Sequence, residues 1–81
     1  MNDTIKLCNI NIGEWAKIVE ILPSCLIKRR LTDIGLISGT KVKCLYENVG
    51  KDMKAYLIRG AVIAVRNVDG SHVTVERSAK L

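Results

Sequence analysis

The chain has 81 residues, of which 48% are apolar, and its net charge of +5 comes from 13 basic and 8 acidic residues. This length predicts a single domain, residues 1–81 with a core over about 7–76, near the lower size limit for folding without a metal or disulfide. Apolar runs such as Ala61–Val65 are far shorter than the roughly 20 residues of a membrane-spanning helix. The start lacks the apolar core of a secretory signal. We therefore expect a cytoplasmic protein that does not span a membrane.

The first predicted elements are a strand and a short helix. Glu14–Ile21 is a β-prone stretch whose alternation of apolar and charged residues breaks around Val19 and Glu20, which predicts a strand with a bulge. Ser24 is placed to cap a helix that begins at Cys25, because its hydroxyl can accept a bond from a free backbone N–H.

The helix is predicted to be amphipathic and to stop at a glycine. Ile27, Leu31 and Ile34 fall at i, i+4 and i+7 and form one apolar stripe. Gly35 follows the last of them, where a left-handed residue commonly ends a helix.

The rest of the chain is predicted to be strands joined by turns. After Gly39, alternation places Val42, Cys44 and Tyr46 on one apolar face of a strand, which leaves Tyr56 as the aromatic ring expected at the surface.

Further strands lie on either side of Arg59 and Gly60, and a last short strand covers residues 72–76. About five strands, with one short helix between the first and second, predict a mainly β fold that forms a small antiparallel barrel. We expect the termini before about Lys6 and after about Arg77 to be loose.

The sequence contains no spacing that is typical of a catalytic or metal site. Cys8, Cys25, Cys44 and His72 match a four-ligand zinc site in number, but no two have a C-x-x-C or H-x-x-x-H spacing. There is no phosphate-binding glycine loop and no closely spaced pair of carboxylates. We expect no enzymatic activity, cofactor or metal, with a metal sensor using these four residues as a minor alternative.

Nucleic-acid binding is the main alternative that the residues leave open. Small barrels bind oligonucleotides, and Lys41 and Lys43 share the exposed face of one strand. A stacking surface also needs outward aromatic rings, and we expect these to be scarce. We therefore expect no nucleic-acid partner.

Four segments together carry a family resemblance: GEWAKIVEI, RRLTDIGLISGTKV, RGAVIAVR and VDGSHVTVE. In this order they resemble the ferrous iron transport protein A family (FeoA), SH3-like barrels also found at the C-terminus of iron-dependent repressors. The positions that match the combined motif are Arg30, Leu31, Gly35, Gly39, Thr40, Gly60 and Arg66.

The resemblance implies an accessory role in ferrous iron uptake. The implied partner is the FeoB permease, a large membrane protein with a cytosolic GTP-binding domain. We expect the helix and its connector to present Lys28, Arg29, Leu36 and Ile37 to that partner, a basic and apolar combination typical of docking surfaces. For Leu36 and Ile37 the alternative that stays open is that they cover the end of the barrel. A repressor-associated role is disfavoured because the chain has no room for a DNA-reading domain. Exposed barrel edges also favour weak self-association.

Overall fold

The protein, described by a computed structural model over residues 4–77, is one antiparallel sheet with short helices around it. The elements in chain order are β1 (Thr4–Lys6), a 3-10 turn (Leu7–Asn9), β2 (Trp15–Ile21), α1 (Lys28–Asp33), β3 (Lys41–Glu47), β4 (Met53–Ile58), β5 (Ala61–Arg66), α2 (Asn67–Gly70) and β6 (Val73–Arg77). The hydrogen-bonded order is β1-β6-β2-β3-β4-β5. Among the described residues β1 and β5 form the two edges, so the sheet is not closed into a hydrogen-bonded barrel.

The mainly β antiparallel prediction is confirmed, but the strand count is wrong. Thr4–Lys6, expected to be loose, pairs with β6 in the register Thr4↔Glu76 to Lys6↔Thr74. The sheet therefore has six strands rather than five, and α1 lies between the second and third strands. Three residues carry no strand signal by themselves, so this pairing depends on a long-range partner. The rest of the predicted loose termini lies outside the described residues.

Two bulges set which side chains face the core. In β2 the register shifts between Ile18 and Glu20, which confirms the predicted bulge. In β3 it shifts between Cys44 and Tyr46, so Tyr46 lies opposite Ala55. Because one extra residue reverses the facing of those that follow, the prediction for Tyr46 is wrong, and its side chain is 57% exposed.

The predicted exposure of Tyr56 is also wrong. It lies in β4 opposite Cys44, on the inner face, and is fully buried. Its hydroxyl donates to the Leu7 carbonyl at 3.3 Å, and burial raises its pKa. A nearby ammonium group, Lys54 Nζ, donates to the carbonyl of Cys8 at 2.8 Å. Together these bonds fasten the 3-10 turn to the sheet.

The helix begins three residues later than predicted. It starts at Lys28, and its N-cap residue, Ile27, makes no side-chain capping bond. The preceding residues form successive turns instead, with the Cys25 N–H donating to Leu22 O at 3.0 Å. These turns bury Cys25, and Ser24 Oγ lies 2.9 Å from His72 Nδ1 rather than capping α1.

Candidate docking surface

The C-terminal end of α1 is closed by hydrogen bonds that require a glycine. The Gly35 N–H donates to Thr32 O at 3.0 Å and the Leu36 N–H donates to Leu31 O at 2.9 Å, the bond pair of a Schellman motif. Gly35 has a φ of +106°, in the left-handed region that strains other residues. The predicted helix stop is confirmed, and Leu31 and Leu36 both enter the buried core.

The connector after Gly35 joins the end of α1 to β2 and β3. Thr40 Oγ1 donates to the Gly35 carbonyl at 2.9 Å. The Gly39 N–H donates to Ile18 O and the Ile18 N–H donates to Thr40 O, both at 2.8 Å. The glycine and threonine of the motif therefore hold the helix end against the sheet.

Arg59, at the tip of the β4–β5 hairpin, lies across the end of α1. A Cβ placed on Gly35 would overlap Arg59 Cδ, so the aliphatic stem of Arg59 packs directly on this glycine. Arg59 and Gly60 have φ values of +50° and +85°, as a two-residue type I′ turn requires. Gly35 thus serves both the helix end and the hairpin.

The structure divides the four predicted docking residues between surface and core. Lys28 and Arg29 are exposed, and Ile37 is 47% exposed. Leu36 is only 1% exposed, so of its two predicted places, docking surface or barrel end, the structure excludes the first. It is the second residue after the helix end, and the Schellman motif directs that residue back onto the helix.

A fourth surface residue, Leu26, was not predicted. Its side chain is 96% exposed, immediately before α1. The signal was present in the sequence, because Leu26 is a large apolar residue outside the stripe of Ile27, Leu31 and Ile34. We refer to Leu26, Lys28, Arg29 and Ile37 as the α1 surface.

The α1 surface has two shallow depressions. One, of about 280 Å³, brings Lys28 and Ile37 together with Val19, which the β2 bulge leaves partly exposed. The other, of about 380 Å³, is lined in part by Leu26 and Arg29. Basic and apolar groups therefore alternate around the helix.

The charge of α1 is mostly positive. Lys28, Arg29 and Arg30 are consecutive, and the first turn holds no acidic residue to complement the helix dipole. Cations at a helix N-terminus are unfavourable. Lys28 and Arg29, in the first turn, thus do not serve helix stability, and they leave a positive surface open to an acidic partner.

A family model described as the FeoA domain matches residues 5–77. The chain belongs to the FeoA family. This membership supports a role in ferrous iron transport.

Solved structures agree with this assignment. The chain is similar to a FeoA-like protein from Clostridium acetobutylicum, with a TM-score of 0.88, 23% identity, and 100% of this chain and 94% of that chain covered. It is similar to Stenotrophomonas maltophilia FeoA complexed with zinc, an SH3 domain protein, with a TM-score of 0.78, 20% identity and 88% of each chain covered. The SH3-like architecture predicted for the FeoA family is therefore confirmed at the level of the fold.

A third similar structure is a repressor. IdeR from T. acidophilum has a TM-score of 0.79 and 22% identity over 93% of this chain, which spans 34% of that protein. The predicted likeness to iron-dependent repressors is confirmed.

No curated protein matches the chain by sequence. Over residues 4–77, no helix is both long and apolar enough to cross a membrane.

The described residues do not gather the four candidate metal ligands of this FeoA-family chain into one site. Among residues 4–77, no three histidine, cysteine, aspartate or glutamate side chains are placed to hold a metal ion. Cys25 Sγ lies 4.0 Å from the Asp69 carbonyl, and His72 bonds with Ser24. Burial raises the pKa of the Cys44 thiol, which keeps it protonated and a poor ligand or nucleophile.

Proposed function

We propose that this FeoA-family protein is a non-enzymatic cytoplasmic accessory factor of ferrous iron uptake that binds the FeoB permease and alters its activity. The observation that carries the proposal is the α1 surface, where exposed Leu26 and Ile37 lie beside Lys28 and Arg29. An apolar side chain flanked by cations favours a protein partner, because the apolar group supplies burial and the charges supply orientation.

The packing beneath the α1 surface supports this role. The Schellman motif and the Thr40 bond to Gly35 fix the connector, so Ile37 projects from a constrained backbone. A preformed surface binds at a lower entropic cost than one that must first become ordered. We infer that the motif glycines act indirectly, by holding the α1 surface in place.

Charge reversal with a matched control tests the proposal. Cells lacking the protein receive the wild type, a Lys28→Glu/Arg29→Glu variant, or a Lys41→Glu/Lys43→Glu variant with the same change in net charge. We expect the first variant to lower ferrous iron uptake severalfold at equal protein level, since it reverses the attraction to an acidic partner. The control should retain uptake. Normal uptake with a folded Lys28→Glu/Arg29→Glu protein would refute docking through α1.

Nucleic-acid binding is the second candidate, and an exposed tyrosine together with a lysine beside a tryptophan ring favours it. Tyr46 is exposed, and Lys43 Nζ lies 5.8 Å from the centre of the Trp15 ring. Aromatic rings beside lysines can stack bases and attract phosphates. A titration with short oligonucleotides at moderate salt separates the candidates. Tight, salt-sensitive binding that Lys41→Glu/Lys43→Glu abolishes would favour this function over permease docking.

A further inference from the structure

Strand β5 presents an unpaired backbone edge. It pairs with β4 from Ile58↔Ala61 to Met53↔Arg66 and has no second neighbour in the described sheet. The two-residue turn makes Ile58 and Ala61 a hydrogen-bonded pair. Alternation then directs the N–H and C=O groups of Val62 and Ala64, and the N–H of Arg66, away from β4, whereas the Arg66 carbonyl begins α2 as its N-cap. These groups can hydrogen-bond to another strand.

The edge lacks the usual protection against such pairing. Natural edge strands are commonly short, or carry proline, a bulge or inward charges. β5 has six residues, no proline, and no charged residue before Arg66 at its end. Its pairing with β4 shows no register shift. The strand is thus open to β-strand addition by a peptide.

A groove runs between β5 and α1. Its volume is about 470 Å³. Its apolar lining comes from the two elements, with Ile27 and Ile34 on the helical side and Ile63 and Val65 on the strand side. The groove can take the side chains of a peptide that pairs with β5.

Two arginines make the groove positive. Arg30 of α1 and Arg66 of β5 both line it, along with one acidic residue, Asp69. Within residues 4–77 neither arginine forms an ion pair. The motif positions Arg30 and Arg66, far apart in the sequence, therefore meet at one site. An occupant with carboxylates would complement both.

We propose that this β5 groove binds an extended acidic segment of a partner protein, with alternating apolar and carboxylate side chains, as an added strand on β5. A second copy of β5 fits less well, because Ala61–Arg66 contains no carboxylate for either arginine. The site lies on the Arg30 side of α1 and does not require that FeoB supply the segment.

The test uses the full-length protein, labelled with nitrogen-15, and a capped peptide of about seven alternating valine and glutamate residues, matched to the strand length. A peptide with lysine in place of glutamate is the control. We expect the acidic peptide to bind, with the largest amide shifts at Val62, Ala64 and Arg66. The lysine peptide should bind at least about tenfold more weakly.

Variants separate strand addition from general attraction. Ala64→Pro removes an outward N–H without touching the bonds to β4, whereas Ala64→Ser keeps it. We expect Ala64→Pro and Arg66→Glu each to weaken binding about tenfold or more, and Ala64→Ser to leave it unchanged. Unfolding temperatures establish that each variant is folded.

The outcomes also distinguish this site from the α1 surface. Arg29→Glu should leave peptide binding within about twofold of the wild type, since Arg29 does not line the groove. No binding of the acidic peptide at millimolar concentration, or binding that Ala64→Pro and Arg66→Glu leave unchanged, would overturn the proposal. Dimerisation through β5 in place of peptide binding would also overturn it and identify a second copy as the occupant.

Discussion

Replacing Gly35 by alanine tests the link between the helix end and the β4–β5 hairpin. Two costs add at this position. A left-handed backbone costs an alanine roughly 1–2 kcal/mol, and the new methyl group would overlap the stem of Arg59. Moving that side chain from its preferred rotamer costs roughly 0.5–1.5 kcal/mol.

Gly39 provides a matched control. Its φ of +92° is also left-handed, but no atom lies within 4 Å of a Cβ placed there. Gly39→Ala therefore incurs only the backbone cost, roughly 1–2 kcal/mol. We expect Gly35→Ala to lower the free energy of unfolding by about 1 kcal/mol more than Gly39→Ala, or roughly 4–8 °C in Tm for a domain of this size.

Urea unfolding of a double-mutant cycle gives the decisive number. If the extra cost comes from Arg59, then Gly35→Ala in an Arg59→Ala background should cost about as much as Gly39→Ala, with a coupling energy of about 1 kcal/mol. Equal costs for the two single glycine variants, or no coupling, would refute the proposed packing of Arg59 on Gly35. The differences in unfolding free energy report stability only if the m-value is the same in all the variants.

Three other predictions concern the sheet and its thiols. Tyr56→Phe should lower the free energy of unfolding by about 0.5–1.5 kcal/mol, since it removes the hydroxyl bond to the Leu7 carbonyl, which keeps the Ile10 N–H as its other donor. A neutral result by urea unfolding would contradict that bond. Lys54→Met should destabilise the protein by about 1 kcal/mol and speed amide hydrogen exchange in the 3-10 turn. Unchanged exchange would show that the Lys54 ammonium group does not hold this turn against the sheet. Because burial raises the pKa of Cys44 and Tyr56, the unfolded chain loses these protons first, and stability should fall as pH rises from about 9 to 11. The loss of stability at alkaline pH should be smaller in Tyr56→Phe. Thiol labelling should spare Cys44 until the protein unfolds. Rapid labelling of Cys44 in the native protein would contradict its burial.

Local patterns predicted the parts of the fold that depend on neighbouring residues. The stripe of Ile27, Leu31 and Ile34 and the glycine after it give the end of α1, because helix periodicity and left-handed glycine are local properties. The β2 bulge was visible in the sequence because two residues there break the alternation.

The errors come from long-range interactions. The β3 bulge has no local mark, so Tyr46 and Tyr56 were assigned to the wrong faces. Ser24 has the chemistry of a helix cap, but the burial of Cys25 holds this segment in turns. β1 exists as a strand only through its pairing with β6.

The candidate sites follow the same division. Lys28, Arg29 and Ile37 were correctly expected at the surface, since they lie off the helix stripe or in the connector. For Leu36 the sequence left surface and barrel end both open, and the turn after Gly35 directs it inward. No spacing in the sequence could bring Arg30 and Arg66 to one groove, which only the packing of α1 beside β5 creates.

The most direct test of the proposed function is recovery of the FeoB permease from detergent-solubilised membranes by the tagged protein, with and without a non-hydrolysable GTP analogue. We predict that the wild type and Lys41→Glu/Lys43→Glu retain the permease and that Lys28→Glu/Arg29→Glu loses it. A change on adding the analogue would indicate that the partner's GTP-binding domain takes part. Failure of the folded wild type to retain the permease in either condition, or equal retention by the α1 variant, would contradict docking through α1.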